Sequence, residues 1–103
     1  MAFGIPPKYE LRIKHGLTKK SCEKKVQKVL DALAYLKVGH EKNAFDYRTR
    51  NGIMTMGERF LVYVGETEML VISKSINPGQ FIDFGRNKQN VERFMEIYEA
   101  EVV

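Results

Sequence analysis

A chain of 103 residues with 17 lysines and arginines against 13 aspartates and glutamates carries a formal net charge of +4 at pH 7. That length suits one domain burying roughly two-thirds of the surface its unfolded form exposes, so folding requires neither a disulfide nor a metal. The lone cysteine, Cys22, excludes an internal disulfide, the short apolar runs fall far below the roughly 18 residues that span a bilayer, and no charged segment followed by an apolar core opens the chain, which together point to a reducing, cytosolic setting.

The charge is unevenly placed. Between Lys8 and Lys28 stand eight basic residues against two acidic ones, leaving nine basic and eleven acidic residues elsewhere, so the first quarter accounts for the whole excess. An anionic partner on one side of the molecule, either phosphate backbones or acidic lipid headgroups, would explain it. Lysines on the outer face of an amphipathic helix are also commonly just solvated.

In chain order, Met1–Ile5 is a short apolar tail, and Pro6-Pro7 holds the next residues extended, so residues 1–7 read as an arm leading into a strand. Tyr9, Leu11 and Ile13 alternate with Glu10, Arg12 and Lys14, which predicts a strand with one buried face. Gly16 ends it, Thr18 is placed to cap a helix, and Cys22, Val26, Val29, Leu30 and Leu33 recur at helical spacing over about residues 19 to 34. Leu36, Val38 and His40, then Phe45, Tyr47 and Thr49, read as a hairpin turning at Lys42-Asn43. Asn51-Gly52 is a strong turn signal, with Ile53–Met56 either opening a long strand or continuing one through a bulge. Gly57–Gly65 and Glu68–Lys74 are strand patterns joined by Glu66-Thr67, short enough for a second hairpin. Pro78-Gly79 turns the chain, and Gln80–Gly85 leads into a helix whose apolar face is Val91, Phe94, Met95 and Tyr98, with Asn87 as its candidate cap. The ending Ala100-Glu101-Val102-Val103 has no proline or glycine stop, which fits a continuing chain and a frayed end equally.

The order is therefore β-α-β-β-β-β-α, an α+β two-layer sandwich with a mainly antiparallel sheet and both helices on one face. In the central hairpin both residue sets are apolar, Phe60, Val62, Val64, Met69 and Val71 on one side and Leu61, Tyr63, Leu70 and Ile72 on the other. One face takes the helices. The other calls for self-association, a ligand, another domain, the N-terminal arm or a strongly curled sheet.

No catalytic, cofactor or metal motif stands out. His15 and His40 lack a partner at metal-ligand spacing, and Cys22 lies on an apolar helix face, where a free thiol is ordinarily a small core residue. Asp46, Glu58 and Asp83 are carboxylates set in apolar sequence, open as a general acid/base pair yet equally readable as surface groups. Gly79 and Gly85 read as turn residues. Asp46, Arg48, Arg50 and Tyr63 could form a basic, aromatic sheet surface, but not in a recognisable RNA-binding pattern, so nucleic acid is the less favoured partner.

Three segments carry a family likeness: Phe3-Gly4-Ile5-Pro6-Pro7-Lys8-Tyr9, Gly57-Glu58, and Asp83-Phe84-Gly85-Arg86-Asn87-Lys88-Gln89-Asn90-Val91. Together they resemble the small N-terminal cytoplasmic domain of some bacterial rhomboid-family intramembrane proteases, with Met56 and Phe84 standing where the family's pattern has tryptophan. The resemblance implies a non-catalytic accessory domain on the cytoplasmic side of the membrane, attached in one polypeptide to a protease whose serine and histidine lie outside these residues. On that reading Lys19, Lys20, Lys24, Lys25 and Lys28 are the candidate contact with anionic lipid. The alternatives are a free-standing small-molecule module, with Tyr9, Phe45, Tyr47, Phe60, Phe94 and Tyr98 around a cavity, and nucleic-acid binding through the same lysines.

Overall fold

A computed structural model of the chain describes residues 8–49, 57–76 and 85–101. The elements run β1 (Lys8–Lys14), α1 (Lys19–Leu33), β2 (Leu36–Lys37), β3 (Phe45–Arg48), β4 (Glu58–Val64), β5 (Glu68–Ser75) and α2 (Arg86–Ala100). The expected arm, the Asn51-Gly52 turn, Ile53–Met56 and the Pro78–Phe84 connection lie outside the described residues.

Five strands form one antiparallel sheet in the order β1-β5-β4-β3-β2. The β4–β5 hairpin closes where the Gly65 amide donates to the Glu68 carbonyl at 2.8 Å, leaving Glu66-Thr67 as its two-residue turn. β1 then adds along the far edge of β5, in a register running from Lys8 opposite Lys74 to Lys14 opposite Glu68. Register and alternation divide the side chains between two faces. Tyr9, Leu11, Ile13, Met69, Val71, Phe60, Val62, Phe45 and Tyr47 share the face that the helices cover. Leu61, Tyr63, Leu70 and Ile72 share the other.

Both helices are amphipathic and lie side by side on that first face, α2 over β1 and β5, α1 against β4 and α2. Cys22, Val26, Val29 and Leu30 of α1, with Val91, Phe94 and Tyr98 of α2, are buried there. Thr18 caps α1, its Oγ1 accepting from the Ser21 amide at 3.1 Å. The helix ends at Ala34, in the left-handed conformation at φ 56°.

Two expectations need correcting. The Leu36–Val38–His40 alternation makes only the two-residue β2, because the next amides turn onto Asp46: Val38 and Gly39 donate to its carbonyl, His40 and Glu41 to its carboxylate. One carbonyl shared by two amides, and a side-chain carboxylate shared by the next two, here replace a regular ladder. Asn87 also does not cap α2. The helix starts at Arg86 after Gly85 at φ 76°, and Asn87 is already inside its first turn with its amide committed to β5 serines. Gly57, at φ 77°, is sterically required, since a Cβ there would stand 2.6 Å from the Thr49 carbonyl oxygen.

Candidate functional site

The five lysines of α1 do not form one surface. Lys20, Lys24 and Lys28 recur at i, i+4 and i+8, so they share one row on the helix, and all three are exposed. Lys25 turns to the flank, its ammonium 4.1 Å from the centre of the Tyr98 ring, a cation–π contact across to α2. Lys19, at the first helical position, sits at the mouth of a cleft beside β3. Lys28 also reaches Glu101 at 3.6 Å, but both side chains are solvated and such pairs contribute little.

The carboxylates are separated by the sheet itself. Asp46 points to the outer face, where Arg59 clamps it, Nη2 donating to Oδ2 at 2.5 Å and Nε to Oδ1. The guanidinium, helped by the Glu41 and His40 amides at 2.9 Å, holds the Asp46 carboxyl below the usual carboxylate range despite its burial. Glu58 points to the helix face. Opposite faces rule the two out as an acid/base pair, and Asp83 lies outside the described residues.

Glu58 is only 1% exposed and anchors a buried polar cluster. Asn90 Nδ2 donates to its Oε1 at 2.8 Å and to Ser73 Oγ at 3.1 Å; Thr49 Oγ1 donates to the same Oε1 at 3.2 Å. Ser73 Oγ in turn donates to Asn87 Oδ1 at 2.8 Å, and Asn87 Nδ2 reaches Ser75 Oγ at 3.2 Å. Glu58 Oε2 has no hydrogen-bond donor among the described residues, and the Arg86 guanidinium stands 3.8 Å from it. Thus Gly57-Glu58 and the Arg86–Asn90 turn, far apart in sequence, meet at one buried point. No family model matches the chain, and no curated protein or solved structure is significantly similar to it.

The remaining candidates resolve into packing. His15 is buried with Nε2 2.8 Å from the Gly65 carbonyl oxygen, so that nitrogen carries the proton, while Nδ1 faces the Leu17 amide at 3.4 Å. His40 is exposed. Cys22 is fully buried with Sγ 3.5 Å from the Tyr98 hydroxyl, and burial pushes both its thiol and that phenol up. A thiol so placed is a poor nucleophile. In the core Phe94 packs tilted against Phe60 at 5.4 Å between ring centres and stacks on Tyr98 at 6.0 Å. Phe45 and Tyr47 instead border the cleft at Lys19.

On the outer face, Leu61 is buried while Tyr63, Leu70 and Ile72 are half-buried, and Leu36 at the β2 edge is 49% exposed. Arg48 and Tyr63 share this face, but Asp46 is spent on Arg59, and Arg50 lies outside the described residues. The Glu58 cluster was the feature least visible in the sequence. Its only signal is the set of asparagines at i and i+3 on a helix face otherwise apolar.

Proposed function

We propose that this chain is a non-catalytic accessory domain, of the kind found at the N-terminus of rhomboid-family intramembrane proteases, which rests on the anionic cytoplasmic face of a membrane through α1. The observation that carries the reading is the exposed row Lys20, Lys24 and Lys28, on the side of α1 turned away from Cys22, Val26 and Leu30. Each lysine near an anionic surface contributes about 1 kcal/mol, so three in a row favour binding by about 3 kcal/mol, more than a hundredfold. The meeting of Gly57-Glu58 with Arg86–Asn90 supports the resemblance, since two of its three segments become one structural unit.

Co-sedimentation of the chain with phosphatidylcholine vesicles, with and without phosphatidylglycerol, tests it. The chain should pellet only with the anionic vesicles. A variant with Lys20, Lys24 and Lys28 all replaced by glutamate should stay in the supernatant; undiminished pelleting of that variant would discard the lipid reading.

A further inference from the structure

Between the first half of α1 and the β2–β3 connection lies a half-enclosed cleft of about 400 Å³. Phe45 and Tyr47 form its apolar wall, and Lys19, Lys37 and Lys42 come to it from three different segments. All three lysines are exposed, and among the described residues none of their ammonium groups is paired with a carboxylate. Glu23 also borders the cleft, as does Asp46, whose charge Arg59 already neutralises. Three cations against one free carboxylate leave a local excess of two positive charges.

The walls of the cleft are held in place before any ligand arrives. Four consecutive amides, Val38 to Glu41, are bound to the carbonyl and carboxylate of Asp46, which fixes the loop running from Lys37 towards Lys42. Tyr47 is held by Gln27, whose Nε2 donates to the phenolic oxygen at 3.0 Å and so leaves the Tyr47 proton to be donated elsewhere. A preorganised site loses less free energy on binding than one that must order itself.

We propose that this cleft binds an organic phosphate monoester, its phosphoryl group between Lys19, Lys37 and Lys42 and its apolar body against Phe45 and Tyr47. A monoester carries between about 1.5 and 2 negative charges at pH 7, which matches the excess; a carboxylate would cancel only half of it. Ammonium groups act on phosphate as point charges and need no fork geometry. The site is distinct from the Lys20–Lys24–Lys28 row and does not depend on the membrane reading.

The test is a titration of the ¹⁵N-labelled chain with phenyl phosphate, phenol and inorganic phosphate at constant ionic strength. Phenyl phosphate should saturably shift the amides of Lys19, Gly39, Lys42 and Ala44, and bind about tenfold or more tighter than either fragment. The double variant Lys37→Glu, Lys42→Glu should lose at least that factor while keeping a folded spectrum. The Lys20, Lys24 and Lys28 glutamate variant should bind phenyl phosphate as before, so loss of vesicle binding and loss of cleft binding are separate results. Equal shifts from phenol and phenyl phosphate, shifts that never saturate, or a double variant that binds unchanged would overturn the proposal. Vesicles of phosphatidic acid compared with phosphatidylglycerol at equal charge identify the source: a preference for phosphatidic acid that the double variant abolishes assigns a lipid headgroup, and phenyl phosphate binding without that preference assigns a soluble ester.

Discussion

At the scale of single residues, the molecule places its two buried carboxylates in opposite electrostatic settings. Asp46 receives two guanidinium bonds and two amides, whereas Glu58 receives neutral donors on one oxygen and a guanidinium 3.8 Å from the other. Because the folded carboxyl of Asp46 is held below its unfolded value, its contribution is present above about pH 4 and is lost as pH falls through the folded value. Asp46→Asn should therefore lower the urea midpoint at pH 7 and flatten its fall on acidification; a parallel acid profile for the two proteins would contradict this. Asn90 bridges Glu58 and Ser73, so Asn90→Ala leaves two buried acceptors short of a donor. The expected loss is about 2–3 kcal/mol in urea unfolding, and a loss under about 0.5 kcal/mol would show that the cluster is relieved by other groups.

At the scale of elements, α1 is well begun and poorly ended. Thr18 supplies a side-chain acceptor at its start, but Ala34 takes a left-handed conformation that costs an L-residue with a Cβ roughly 1–2 kcal/mol. Ala34 is exposed, so Ala34→Gly removes that strain without opening a hole. Thermal unfolding should show a gain of about 0.5–1 kcal/mol, and a loss would mean that glycine's greater unfolded-state freedom outweighs the relieved strain. The elements most legible in the sequence were those whose signal is local: the Thr18 cap, the apolar rows of both helices, and the β4–β5 hairpin with its two-residue turn. What stayed hidden is set by distant partners. The alternation through Val38 and His40 is a fair strand pattern until Asp46 captures the same amides, Val38 on its carbonyl and His40 on its carboxylate. Asn87 looked like a cap because nothing nearby in sequence announces Ser73 and Ser75 beneath it. Helical spacing alone sets Lys25 off the Lys20–Lys24–Lys28 row, but nothing near it in sequence announces the Tyr98 ring that it meets.

At the scale of the whole molecule, the basic first quarter divides between two surfaces. Lys8, Arg12 and Lys14 lie on the outer sheet face with β1, and the lysines of α1 lie on the helix layer behind the opposite face. Within the helix layer the charge differs again, because the exposed residues of α2 mix Glu92, Glu96 and Glu99 with Lys88 and Arg93. A membrane approached by α1 therefore meets a row of cations, and one approached by α2 meets charges of both signs. Exposed lysines are screened over about 10 Å at 0.1 M salt, so vesicle binding should fall steeply between low and physiological ionic strength. Binding that is insensitive to salt would instead point to apolar insertion, which the Lys20–Lys24–Lys28 row cannot provide.

The position of β1 has a consequence for how the chain comes together. β2 to β5 pair with their neighbours in sequence, but β1 must wait for β5, and every rung from Lys14–Glu68 to Lys8–Lys74 closes a loop of half the chain or more. Closing such a loop is entropically unfavourable until the strand it joins exists. The meander is thus the expected nucleus and β1 the strand expected last, so substitutions in β1 should speed unfolding and leave the refolding rate unchanged. Until it arrives, β5 presents an open edge beside Met69 and Val71, and the short-lived species most prone to sticking to its own kind is the one with its first strand undocked.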